Sequence, residues 1–225
     1  MGTADRRQRH RASLRREILA AASQLFVEEG YQRVTMRRIA AQIEYSPTTI
    51  YLYFKDKNEL LSAVCEETFS QLAAKLERLQ KTSGTPLGYL RAGLRTYVDF
   101  GLENPNHYTV TFLRQMPGER AADGDAGEFE QSIGGRAFGL LRQGVSACVE
   151  NGDIRTPSID MAAQTLWAGV HGLTALFITA AGFPFVSRAV LIDHTIDTLL
   201  AGLKTPSAAP RTPVHPQSKK WDYFD

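Results

Sequence analysis

The sequence predicts an all-α protein. It reads as an N-terminal three-helix domain followed by a larger helical body, about nine helices together. Three observations lead there. Apolar residues recur at helical spacing along most of the chain. Cap and stop residues punctuate that spacing. Alternating runs between hairpin turns are missing. Hydrophobic residues make up 43% and charged residues 22% of the 225, ordinary values for a soluble globular chain.

Residues 1–12 read as a basic, disordered arm, with six arginines between residues 6 and 16. Helix one is expected over 13–29: Ile18, Leu19, Ala22, Leu25 and Phe26 form one apolar face, and Gly30 is a left-handed stop. Thr35 is placed to cap a short helix over 36–42 that buries Ile39 and Ala40. After a brief turn, Ser46-Pro47 reads as an N-cap with proline at the first helical position, opening a helix over 47–53. Asp56 and Glu59 form a cap-and-box start for a long helix to about residue 81.

Residues 82–85 look like a break. Helices are then expected over 86–103, 104–115, 128–150, 159–181 and 185–203, with a polar loop at 117–127. Residues 204–225 hold four prolines and read as a disordered tail. Its closing Lys219–Phe224 stretch has the makings of a docking segment, although a loose end is the simpler account. The expected units are therefore an arm (1–12), an N-terminal three-helix domain (13–60), a body (61–203) and a tail (204–225).

Charge is unevenly spread. Residues 1–55 hold ten Lys/Arg and five Asp/Glu, whereas the remaining 170 hold 16 and 19. A basic quarter on a mildly acidic body suggests a local polyanion contact. The two cysteines, Cys65 and Cys148, show no disulfide or metal-ligand spacing, and no cofactor or metal is expected. Met161 to Ser187 carries no charged residue and is long enough to span a bilayer. Its glycines, threonines, Gln164, His171 and Pro184 favour a helix buried in a core or subunit seam, in a cytoplasmic protein without a membrane partner.

Two short helices joined by a three- to four-residue turn form a helix-turn-helix. The major groove, about 12 Å wide, admits a helix with a small polar tip. Ser46, Pro47, Thr48 and Thr49 form such a tip. Tyr51 and Tyr53 offer hydroxyls to phosphates. Lys57 is poorly placed for its own helix dipole and is expected to face a phosphate. Thr35 and Arg38 flank the groove. Plain packing explains any one of these features; together they support one docking geometry.

These residues carry a resemblance. Ile18-Leu19-Ala20-Ala21-Ala22, Leu25-Phe26, Gly30-Tyr31, Val34-Thr35, Ile39-Ala40 and the run from Ser46 to Leu61 resemble the TetR/AcrR repressors. The resemblance implies an all-helical homodimer with a variable ligand-binding body. Two positions depart from the family pattern: Glu44 stands where glycine is usual and Tyr45 where valine is usual. Tyr45 thereby becomes a candidate DNA contact. Trp167, His171 and Gly172 also resemble a Trp-His-Gly C-terminal subfamily.

In the body, Ala162, Ala163, Ala168, Gly169, Gly172 and Ala175 suit close helix approach. With Val190, Leu191, Ile196, Leu199, Leu200 and Leu203 they suggest a dimer through the last two helices. Tyr97, Phe100, Phe112, Phe138 and Trp167 are candidate walls of a pocket for a small apolar effector. His171 is either the polar contact of that pocket or a satisfied core histidine. The expected function is a sequence-specific regulator, a ligand-responsive repressor on a palindromic double-stranded operator. No nucleophile elbow, phosphate loop or zinc-protease motif points to an enzyme. An architectural DNA binder would need a broad basic surface, which the body lacks.

Overall fold

The computed structural model describes residues 3–82, 84–113 and 132–204. Nine α-helices and one π turn make up these residues: α1 (Thr3–Glu28), α2 (Met36–Gln42), α3 (Pro47–Tyr51), α4 (Lys57–Thr82), α5 (Pro86–Glu103), α6 (Pro105–Tyr108), the π turn (Thr109–Leu113), α7 (Ile133–Glu150), α8 (Ile159–Thr179) and α9 (Arg188–Lys204). The expected loop at 117–127 and the tail beyond 204 lie outside the described residues.

The helices pack around two apolar cores. The first gathers Ile18, Leu25 and Phe26 of α1, Ile39 of α2, Ile50 of α3 and Leu60 of α4, all fully buried. Each such side chain contributes about 1.5–3 kcal/mol by leaving water. The second is built from the C-terminal half of α4 with α5, α7, α8 and α9, around Leu90, Phe100, Leu166 and Ile196. Arg91 and Arg95 on α5 clamp α9 through Asp193 and Asp197.

Several expectations change. The arm is helical: α1 begins at Thr3, since no breaker separates residues 3–12 from the helix and propagation needs no new nucleus. The boundary near residue 60 falls inside α4, whose Leu61 and Val64 belong to one core and Leu72 and Leu76 to the other. No linker joins the units there. The expected helix 104–115 is interrupted. Asn104, before Pro105, takes φ −128° and ψ 56°, because the proline ring disfavours helical backbone in its predecessor. Residues 109–113 then form a π turn. The last helix starts at Arg188 rather than 185, after a turn at Phe183-Pro184-Phe185.

Candidate DNA interface and effector cavity

The sequence sets up the helix-turn-helix locally. Thr35 caps α2, its Oγ1 accepting from Arg38 N at 3.1 Å. Ser46 caps α3, its Oγ accepting from Thr49 N at 3.2 Å, with Pro47 in the first turn. Between them Glu44 has φ 58°, the only described non-glycine residue with positive φ. The usual glycine would avoid a cost of about 1 kcal/mol there. Glu44 thus takes the left-handed turn rather than reshaping it.

Ile50 is fully buried and anchors α3, while the opposite face points outward. Tyr45 is 36%, Tyr51 53% and Leu52 71% exposed, beside exposed Ser46 and Thr48. Thr49 is half-buried and its hydroxyl lies 2.9 Å from Ser46 Oγ, so Thr48 offers the freer hydroxyl. The helix ends at Tyr51 rather than 53. Leu52 and Tyr53 donate their amides to Thr49 and Ile50, a tighter closing turn. Tyr53 is half-buried, and Arg11 of α1 lies 5.8 Å above its ring.

The basic residues divide by partner. Arg38 is committed to Glu29 at 2.9 Å and Gln42 at 3.0 Å. Its neighbour Arg37 is exposed and has no hydrogen bond or ion pair among the described residues. Sequence reasoning passed over Arg37 because adjacent arginines look alike without partners in view. Lys57 is a correction. Its ammonium donates to the carbonyls of Tyr31 at 2.7 Å, Val34 at 2.9 Å and Gln32 at 3.4 Å, and lies 4.2 Å from the Tyr31 ring centre. Burial pulls its pKa down. In this structure it braces the α1–α2 connection, where orphan carbonyls satisfy it, instead of standing free for a phosphate.

The body holds a half-open cavity of about 740 Å³ between α4, α5, the π turn, α7 and α8, within the size range of drug-sized ligand sites. Tyr97, Phe112, Phe138 and Trp167 line it, together with leucines such as Leu72, Leu90 and Leu94. Phe100 and His171 do not. Phe100 is 1% exposed and packs into the core. His171 lies behind the wall, its Nδ1 2.6 Å from the Tyr108 hydroxyl and 3.1 Å from that of Tyr97. Tyr97 Oη also accepts from Trp167 Nε1 at 3.2 Å. The tyrosine hydroxyls supply the partner that a core histidine needs. Burial raises the Tyr97 pKa to about 12, partly offset by its hydrogen bonds.

The π turn joins the two regions. Phe112 lines the cavity, while Val110, two residues earlier, is 1% exposed and belongs to the N-terminal core. Beside it His107 Nδ1 lies 3.3 Å from Thr68 Oγ1 on α4.

Burial lowers the pKa of both His107 and His171, with Glu67 partly opposing at His107. The fold therefore holds both neutral. As pH falls through their ordinary value near 6.5, the unfolded chain takes up protons that the folded chain refuses, and stability is lost. Thermal unfolding is expected to be nearly flat above about pH 7 and to move to lower temperature towards about pH 5.5, with a shallower fall in His171→Gln. An unchanged slope in that variant refutes the assignment.

The end of α8, the connection after it and the start of α9 carry exposed apolar side chains. Leu176, Phe183, Val186 and Val190 are 52–65% exposed. The small residues of α8 divide. Ala162 and Ala163 are buried within the protomer, and a side chain on Gly169 would meet Leu199 at 2.6 Å. Ala168 is exposed at the cavity lining, and half-buried Gly172 has open space where a side chain would stand. α8 is long and apolar enough to cross a membrane by length and composition, as a core or seam helix also is.

Known proteins share these features. Residues 18–64 match the family described as bacterial regulatory proteins, tetR family, and residues 90–199 match the tetracyclin repressor-like C-terminal domain. A stretch of 68 residues is 35% identical to an uncharacterized HTH-type transcriptional regulator of Haemophilus influenzae, covering 30% of this chain and 36% of that protein. The chain thus spans about a third of the length of that curated relative. Among solved structures, the fatty acid degradation regulator FadR of Bacillus halodurans superposes with a TM-score of 0.71 at 18% identity, over 85% of this chain and 97% of its own. The transcriptional regulator FadR of Bacillus subtilis, solved in complex with stearoyl-CoA, gives 0.70 at 21% identity, over 83% and 97%. At these identities the superpositions speak for the fold. With both halves of the chain matched and the helix-turn-helix in place, this protein belongs to the TetR family of bacterial regulatory proteins.

Proposed function

We propose that this chain is a ligand-responsive transcriptional repressor that binds a palindromic DNA operator as a homodimer. The carrying observation is α3: its apolar side, Ile50, is locked in the core, while Tyr45, Thr48, Tyr51 and Leu52 stand exposed on the other. Such a short rod fits the major groove, where hydroxyls meet base edges or phosphates and an apolar side chain meets a thymine methyl. Ser46, Pro47 and Thr49 shape the rod, Thr35 caps the helix before it, Arg37 supplies a cation, and Arg38 and Lys57 position the α1–α2 connection.

A second copy presents a second rod. Two half-sites then lie about 34–36 Å apart, or at multiples of it, which sets the operator symmetry. The exposed apolar side chains from the end of α8 to the start of α9 serve as the seam. The cavity takes a small apolar effector, as suits a chain whose structural neighbours include a regulator solved with stearoyl-CoA. Effector pressing on Phe112 shifts the π turn and, through Val110, the N-terminal core. The shift in DNA affinity is limited by how differently the ligand binds the two shapes. This reading places the protein in the cytoplasm with DNA and assigns it no enzymatic reaction. The acidic balance of the body argues against an architectural role.

Operator binding, measured against the DNA flanking the gene at stated salt, tests it. Tyr51→Phe is expected to weaken binding about equally on all sequences, by roughly 1 kcal/mol for one lost phosphate bond. Thr48→Ala is expected to change the ranking among operator variants by about 1 kcal/mol. If both variants keep full affinity and ranking, α3 does not read DNA.

A further inference from the structure

The cavity has a chemical signature that narrows its ligand. Among the described residues, none of those lining it carries a carboxylate, ammonium, guanidinium or imidazole. Tyr89, Thr111 and Gln164 bring polar atoms to the lining, the Thr111 hydroxyl being buried with no hydrogen-bond partner among the described residues. The Tyr97 and Trp167 groups form one linked set with Tyr108 and His171 behind the wall. Trp167 N–H, Tyr97 O–H and Tyr108 O–H are three donors. Tyr97 Oη, Tyr108 Oη and His171 Nδ1 are three acceptors, linked at 2.6 to 3.2 Å. With Tyr108 donating to His171 Nδ1, Tyr97 to Tyr108 and Trp167 to Tyr97, each of these three donors is used, and His171 carries its proton on Nε2. The longest link is Trp167 Nε1 to Tyr97 Oη at 3.2 Å, and Trp167 is also the exposed member, at 37%. One turn earlier on α8 and likewise on the lining, Gln164 is exposed, with no hydrogen-bond partner among the described residues.

A ligand oxygen arriving beside Trp167 can therefore take over one N–H without orphaning a buried donor. The Gln164 amide adds a donor and an acceptor at the rim. An ionised group at the same place would lose part of its water and meet no counter-charge among the described lining residues, which costs more than placing a neutral oxygen there.

We propose that the effector is an electrically neutral molecule with an apolar body and one carbonyl, ether or hydroxyl oxygen, held by Trp167 Nε1 and the Gln164 amide. This rests on the reading of the cavity as the effector site and adds the charge and polar mark of its ligand.

Three probes with one tail separate the possibilities: 1-decanol, decanoate and decyltrimethylammonium, each kept below its micelle concentration. The full chain carrying Trp221→Phe leaves Trp167 as its one indole, so emission reports on the cavity rim. Decanol is expected to shift that emission and to bind at least about ten-fold tighter than either ion. Supplying the missing charge should rescue the ions. Gln164→Arg is expected to tighten decanoate about three-fold, and Gln164→Glu to do the same for the ammonium, the size of an exposed ion pair.

An ion that matches decanol on the parent chain, the absence of any emission change with all three probes, or ionic affinities indifferent to both Gln164 variants overturns the proposal. Operator binding without probe, recorded on the same samples, keeps the two readings apart. A chain that binds operator but prefers an ion loses only the neutral-ligand assignment. A chain that takes decanol but ignores operator loses the repressor reading.

Discussion

A chain carrying both Leu176→Glu and Val190→Glu is expected to be a folded monomer that holds a palindromic duplex at least about 100-fold more weakly than the parent. Leu176 is 52% and Val190 62% exposed, so neither side chain supports its own protomer much. Helix content should stay unchanged by circular dichroism. Leu176 on α8, Val190 on α9 and Phe183 and Val186 in the connection between them leave apolar side chains exposed. Exposed apolar side chains grouped in this way mark an interface. In a two-fold seam each substitution occurs twice, so four carboxylates would be buried without partners, a penalty larger than a typical seam recovers. Light scattering reads the mass and a gel-shift titration reads the affinity. A double variant that stays dimeric places the seam elsewhere. A monomer that keeps full operator affinity would show that two linked half-sites are unnecessary.

Gly101→Ala is expected to cost about 2 kcal/mol of stability, although alanine is the better helix former. A methyl group built at Gly101 meets Thr174 Cγ2 at 2.5 Å and the Tyr108 ring at 2.9 and 3.1 Å. Both neighbours are completely buried, so neither can move aside. The crossing of α5 with α8 must widen, and Tyr108 must shift from Tyr97 and His171. The midpoint of thermal unfolding should fall by roughly 5 °C. Gly139→Ala on α7 is the control. Nothing lies within 4 Å of its new methyl, and the change should stabilise by up to about 1 kcal/mol. If both variants are stabilised equally, the crossing is looser than described.

These two predictions differ in what the sequence foretells. The apolar, uncharged run through α8 is plain in the sequence, and it led to a seam. Which small residues are left uncovered for the proposed seam was not. Ala162, Ala163 and Gly169 fit helix approach as well as Gly172 does, but they are consumed by contacts within the protomer, and Ala168 lines the cavity. A helical wheel gives each residue an angle, and only the neighbours decide which angles are covered. Gly101 shows the same limit more sharply. In sequence a mid-helix glycine signals only a propensity loss, whereas the crossing makes it a requirement.

The pocket divides likewise. Tyr97, Phe112, Phe138 and Trp167 belong to the wall, as their aromatic clustering suggested. Phe100 sits on another face of α5, and His171 is spent on two tyrosine hydroxyls. Lys57 reads as a free cation in sequence, because the three carbonyls it satisfies come from residues more than twenty positions away.

What the sequence alone determined about this protein is local. Helix starts follow from Thr35, Ser46-Pro47, Thr85-Pro86 and Ser158, whose caps act within three residues, and the small polar tip of α3 follows from the same short-range chemistry. Tertiary structure alone decided which charges are spent, which small residues are crossings, and that one π turn touches both the cavity and the N-terminal core. Those properties depend on side chains brought together from distant parts of the chain, where hydrogen bonds, burial and steric contact act only once the helices have packed.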